Sequence, residues 1–174
     1  GMYLKNASLA EDDKAYVVYY ADNVAAFSDR REAEAGEGGF DKTMPLESVF
    51  NILNGNHGQS HYAMQVLNPK NEINYPTEDE ISMDEHFYQS VIQNITDNLK
   101  GITLDEEYIN SLLAVLEANL TYIPSSTSKK ELADISLYDH MKMTAAVASC
   151  VMQFLTAKGE KNYKQSLFIN AEKS

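Results

Sequence analysis

DISLYDHMKMTAAVASCVMQFL, residues 134–155, decides the fold class. At 3.6 residues per turn, Leu137, His140, Met141, Thr144, Ala148, Val151 and Leu155 share one face. The stretch predicts a helix over about 136–157, stopped by Gly159. Its Ala, Val, Met and Phe content is that of a core helix. Yet its first turn holds Tyr138, Asp139 and His140. An acid and an imidazole at the start of a helix built for burial ask for a reason.

The same periodicity recurs upstream. EDDKAYVVYYADNVAAFSDRREAEA, 11–35, reads as a helix with Val18, Ala21, Ala25 and Ser28 on one face. Acids crowd its start, where the helix dipole is positive. GEGG at 36–39 ends it. MPLESVFNIL, 44–53, reads as a short helix with Pro45 in its first turn, and NGNHG, 54–58, as a turn. A small β-hairpin is expected around 62–75, pairing Tyr62–Leu67 with Glu72–Tyr75. Ser82 with Glu85 forms a capping box opening a helix to about Lys100, before Gly101. Thr103 with Glu106 repeats the pattern and opens 104–120, with Leu112, Val115, Leu116 and Leu120 as its apolar stripe. The sum is a mainly α domain.

Two polar residues fall on apolar stripes. Asp22 sits between Val18 and Ala25–Ala26, and His140 lies on the face of the last helix. An unpaired buried carboxylate takes up a proton, a partner or a metal. An inward aspartate on one helix and a histidine on another would form half of a metal site, suited to Mn, Fe, Ni or Zn. The same pattern is more often that of a satisfied core histidine and of an aspartate that caps a helix or pairs with a base, here Arg30, Arg31 or Lys142. Asp139, three residues after Ser136, can simply complement the helix dipole. His57 and His61 flank a Gly/Asn turn, and His86 follows two acids at a helix start. None of these three forms a helical metal pair.

Composition closes off other chemistries. The 174 residues carry 26 acids against 14 bases, a formal charge of −12, which opposes tight, sequence-independent nucleic-acid binding by this chain alone. No apolar run approaches the roughly 20 residues that span a bilayer. No phosphate-binding Gly loop and no nucleophile elbow occurs. The single cysteine, Cys150, reads as a small buried hydrophobe and suits a reducing cytoplasm. Gly1 ahead of Met2 has the look of a protease scar.

Four segments in order resemble one family. DISLYDHMKMTAAVASC is similar to the signature near the end of the N-terminal HD-type domain of the large subunit of type III-A (Csm-type) CRISPR effector complexes. YYADNVAAFSDRRE, 19–32, resembles that family's ADN…RR helix. FDKTMPLESVFNIL, 40–53, is similar to its following segment, and TYIPSST, 121–127, to the loop before SLYDH.

The resemblance implies a helical bundle of permuted HD-domain type. It implies metal-dependent cleavage of single-stranded DNA in antiviral defence. Asp22 and His140 match metal ligands, with Asp139 a further candidate, for a divalent ion such as Mn, Ni, Fe or Mg. It implies partners too: other subunits of the effector complex, and guide RNA and target nucleic acid through that complex. ATP would serve palm domains that make cyclic oligoadenylate. The family's His-Asp pair lies upstream of the ADN helix, and no His-Asp dipeptide occurs here. The expectation is therefore an internal piece. Residues 1–160 form a partial HD-type domain, 161–174 a linker towards a palm domain, and the chain alone is inactive while its parent is an enzyme. A catalytically silent helical interaction domain and a stand-alone HD-type phosphohydrolase are the alternatives.

Overall fold

Asp13 sets where the first helix begins. Its Oδ1 accepts the Ala15 N–H at 2.8 Å, satisfying one of the donors a helix start leaves open. The helix, α1, runs Ala15–Asp29. The computed structural model describes residues 9–31, 38–55, 57–68, 70, 73–81, 86–103, 105 and 107–169. The helix is shorter than the 11–35 expected: residues 11–14 and 30–31 are described and lie outside it, and 32–37 lie outside the described residues. Among the described residues the main elements that follow are β1 (Leu46–Glu47), β2 (His61–Tyr62), α2 (Phe87–Leu99), α3 (Tyr108–Leu120) and α4 (Leu137–Ala157), with a π-helical turn at Gln165–Ile169. The fold is mainly α, as expected. Among the described residues no helix is long and apolar enough to cross a membrane.

The chain divides into two units. The first joins the segment ending at Asp29 to the segment starting at His140. Its core is Tyr16 and Val17 of α1, Leu155 of α4, and Leu167, with Tyr20, Val151, Met152 and Phe168 packed around them. The buried face of α1 is Tyr16, Val17, Ala21, Ala25 and Ala26. Val18 and Ser28 turn to solvent instead of joining it. The large Tyr16 side chain fixes that face, with the Phe168 ring edge-on to it at 5.9 Å. Phe168 stacks on Tyr19 at 5.5 Å as well. Leu167 and Phe168, expected to belong to a linker, thus contribute to this core, and 170–174 lie outside the described residues. Gly159 stops α4 as expected. Its φ of +69° suits glycine, and the Gly159 and Glu160 N–H groups bond back to the Thr156 and Leu155 carbonyls, both at 3.0 Å.

The second unit is Arg30–Asp139. Helices α2 and α3 pack together, and Val91, Leu120, Ile123 and Tyr138 form its core. The expected stripe of α3 holds, with Leu112, Val115 and Leu116 half-buried and Leu120 buried. The Ser82–Glu85 capping box and Glu106 lie outside the described residues. Asp105 caps the approach to α3, accepting the Glu107 N–H at 3.0 Å.

MPLESVFNIL does not form the expected α-helix. Leu46–Glu47 is a strand, antiparallel to β2 with Leu46 opposite Tyr62 and Glu47 opposite His61. Single 3₁₀ turns follow at Val49–Asn51 and Leu53–Gly55. The reason is where the backbone donors go. The Glu47 N–H is taken by the Ala133 carbonyl at 2.8 Å and the Ser48 N–H by the Ser60 carbonyl at 2.9 Å. Neither is left for a helical ladder. Of the hairpin expected around 62–75, residues 69, 71 and 72 lie outside the described residues; among the described ones Tyr62 pairs with Leu46 of β1, His61 bridges Thr77, and the Asn74 side chain donates to the Ala63 carbonyl at 2.8 Å.

Asn51 clasps the turn between the two strands. Its amide donates to the Ser60 carbonyl at 2.8 Å and accepts the Ser60 N–H at 3.0 Å. A Cβ on Gly58 would lie 2.9 Å from the Asn51 Oδ1. Gly58→Ala is expected to destabilise the protein by about 1–3 kcal/mol through overpacking. Urea unfolding checks this, and the cost should shrink in an Asn51→Ala background.

Candidate metal centre

The ADN helix and the SLYDH helix meet in the first unit. Asp22 lies midway along α1 and Asp29 at its end, two turns further on, so both face the same way. His140 lies in the first turn of α4. Its Nε2 is 3.0 Å from the Asp22 Oδ1 and its Nδ1 is 2.9 Å from the Asp29 Oδ2. The imidazole therefore bridges two carboxylates from one helix. The His140 and Asp29 side chains are each only 12% exposed, while Asp22 is 54% exposed. One edge of the ring faces the interior and the other faces solvent.

Burial pushes the His140 imidazolium down, but the hydrogen bonds and charges of Asp29 and Asp22 outweigh it and leave its pKa raised above the ordinary value. In the metal-free chain, the stability this histidine contributes is fully present below its unfolded pKa of about 6.5. It is lost as pH rises through the raised native value. A His140→Gln variant should lack this alkaline loss. Thermal midpoints of both proteins across pH check it, and parallel profiles would exclude the pairing.

Of the sequence candidates, Asp22 and His140 come together, although Asp22 is exposed rather than buried. Asp139 does not face inward. Its N–H donates to the Ser136 Oγ at 3.0 Å, and its Oδ2 accepts the Ser136 hydroxyl at 2.8 Å, a helix cap. Asp22 takes neither arginine as partner: Arg30 pairs with Glu131 and Arg31 with Asp134. The His61 nitrogens face the Gln59 and Asp79 carbonyls, His57 is exposed, and His86 stands at the N-cap of α2. Cys150, expected to be buried, is exposed because it lies on the outer face of α4. A cleft of about 410 Å³ in the second unit is lined by Asn94, Asn98, Asn119 and aliphatic side chains and carries no titratable group.

Asp29 was not among the sequence candidates. Its signal was the seven-residue spacing from Asp22, which puts both on one helix face. A carboxylate on the last residue of a helix is also disfavoured by the dipole, so its presence there calls for a partner.

Asp22 and His140, whose donor atoms stand 3.0 Å apart, would offer a divalent ion one carboxylate oxygen and one imidazole nitrogen. Imidazole with carboxylate is a donor set for Mn, Fe or Ni. Among the described residues, no group of three or more His, Cys, Asp or Glu side chains converges to hold a metal.

No family model matches the chain. The chain is 37% identical over 179 residues to the CRISPR system single-strand-specific deoxyribonuclease Cas10/Csm1 (subtype III-A) of Enterococcus italicus, covering 98% of this chain and 24% of that protein. The Mycobacterium tuberculosis protein of the same name is 35% identical, covering 94% and 20%. The chain belongs to the Cas10/Csm1 family. It spans about a fifth of the length of the curated relatives it matches. Among solved structures, a Csm1–Csm4 cassette in complex with cA4 superposes with a TM-score of 0.55 at 32% identity, over 76% of this chain and 15% of that one. A cassette in complex with one ATP superposes equally well.

Proposed function

We propose that the chain is the later part of a permuted HD-type domain, in which Asp22 and His140 hold a divalent metal for cleavage of single-stranded DNA. One observation carries the reading: two residues 118 positions apart in sequence, each in a family-like motif, come within 3.0 Å of each other. The relatives' name, single-strand-specific deoxyribonuclease, supports the substrate class. When bound, the ion would supply Lewis acidity at a phosphodiester and activation of a water. The chain's own residues would do the rest. Nε2 of His140 offers a lone pair and Oδ1 of Asp22 a hard oxygen. The exposure of Asp22 leaves an approach for a strand. Asn23, beside it, spends its amide on its own helix, donating to the Tyr19 carbonyl.

Among the described residues two donors fall short of the four or more that a tight site uses, so the isolated chain is expected to be inactive or nearly so. The parent would complete the site with its His-Asp pair. In its palm domains it would turn ATP into cyclic oligoadenylate, consistent with the cA4, pppApA and ATP complexes of the similar cassettes. Its place would be the cytoplasmic effector complex, with guide RNA and target held by that assembly rather than by this acidic surface. The shortage of donors also favours a second reading, a silent helical interaction domain of the same complex.

Calorimetric titration of the chain with Mn²⁺ and Ni²⁺ separates the two. The metal reading expects weak saturable binding that is absent from Asp22→Ala and His140→Ala. No binding to the unaltered, folded chain would sink it in favour of the interaction domain.

A further inference from the structure

We infer that Asp29 is a positioning residue: it takes the Nδ1 proton of His140 and so turns the Nε2 lone pair towards Asp22 and solvent. The inference goes beyond the two candidate ligands, and it rests on the proposed metal reading only in its metal-binding consequence.

Three features carry it. The first is placement. Asp22 and Asp29 are seven residues apart on α1, about 10.5 Å along the axis, and the imidazole stands between them with contacts of 3.0 and 2.9 Å on opposite edges. An ion seated beside Nε2 and Asp22 is therefore screened from Asp29 by the ring, and Asp29 can act on it only through His140. The second is burial. Two carboxylates compete for the single proton of a neutral imidazole. The Asp29 contact is enclosed, with both side chains 12% exposed, whereas Asp22 is 54% exposed and shares its oxygens with water. A charge-assisted hydrogen bond is stronger where water is excluded, so the proton belongs on Nδ1. The third is the cost of keeping Asp29 where it is. A carboxylate on the last residue of a helix opposes the dipole, and one that is nearly buried needs a donor. The His140 N–H is the partner that answers both. This carboxylate–imidazole arrangement is the one that fixes ring orientation and raises basicity in metal-ligating histidines generally.

Two readouts on the 174-residue chain test it. The first needs no metal. ¹⁵N shifts of the His140 ring, recorded in alkaline buffer where the imidazole is neutral, should report the Nδ1–H tautomer. Asp29→Ala should move the ring towards the Nε2–H form. A ring already in the Nε2–H form, or one whose shifts ignore Asp29→Ala, overturns the proposal. Should Asp29→Ala fold poorly by circular dichroism, the near-isosteric Asp29→Asn takes its place. The second readout is Mn²⁺ affinity by calorimetry, expected to fall about 10- to 100-fold in the same variant, the range for such supporting groups. Unchanged affinity overturns the proposal. Absence of Mn²⁺ binding in the unaltered chain instead overturns the metal reading, and the tautomer measurement then decides the role of Asp29 by itself.

Discussion

Shortening Leu155 to alanine is expected to destabilise the first unit by about 2–5 kcal/mol, the range for leucine removed from a close-packed core. Leu155 is 3% exposed and lies against Tyr16, Val17 and Leu167. Alanine at this position leaves a cavity between α1 and α4, and Tyr16, already packed edge-on to Phe168, has little room to fill it. The cost reaches the site. Asp22 and Asp29 are on α1 and His140 is on α4, and this core is what holds those two helices in register. The urea midpoint should therefore fall sharply, and any Mn²⁺ affinity should fall with it. Leu155→Met, which conserves volume, should cost less than about 1.5 kcal/mol. The adjacent Phe154, 61% exposed, provides the control: Phe154→Ala should stay within about 0.5 kcal/mol. Similar losses at 154 and 155 would mean that this core does not join the helices.

Long, periodic segments were legible in the sequence. The stripe of α3, the extent of α4 and its stop at Gly159 follow from spacing and one glycine, because those helices form their own hydrogen bonds and need a neighbour only for burial. Segments whose bonds go elsewhere were not legible. MPLESVFNIL has the composition of a helix, but Glu47 and Ser48 donate to Ala133 and Ser60, partners about 85 and 12 residues away that no local pattern announces. On α1 half of the expected face holds: Ala21 and Ala25 are buried, while Val18 and Ser28 turn to solvent and Tyr16 and Val17 carry the contact, because periodicity alone does not choose between faces this close on a helix rich in small apolar residues. At the site, Asp22 and His140 could be read from motifs. Asp29 escaped because an acid beside two arginines looks like an ordinary ion pair, and only the placement of His140 gives it another partner.

Those arginines are expected to separate in their effects. Arg31→Met should destabilise the second unit by about 2–3 kcal/mol, and Arg30→Ala by less than about 1 kcal/mol. Arg31 Nη1 lies 3.2 Å from Asp134, whose side chain is 3% exposed. Neither Asp134 carboxylate oxygen has a well-aligned hydrogen bond among the described residues, so the arginine charge is what offsets its burial. Removing one member of a buried pair costs about 3–5 kcal/mol, reduced here because the Arg31 side chain is itself 46% exposed and partly solvated. Arg30 faces Glu131 at 3.5 Å with side chains 53% and 22% exposed, and pairs that water reaches contribute about 0–1 kcal/mol. The Arg31 backbone adds to the contrast, since its carbonyl accepts the Leu132 N–H at 2.9 Å. Arg31 thus ties the end of the ADN…RR segment to the loop that leads into SLYDH. Its contacts tie backbone and side chain to the second unit, while Asp22 and Asp29 are the carboxylates that meet His140. Neutralising both members, as in Arg31→Met with Asp134→Asn, should recover part of the loss, because no uncompensated charge is then left buried. Equal destabilisation by Arg30→Ala and Arg31→Met in urea unfolding would refute this division of roles.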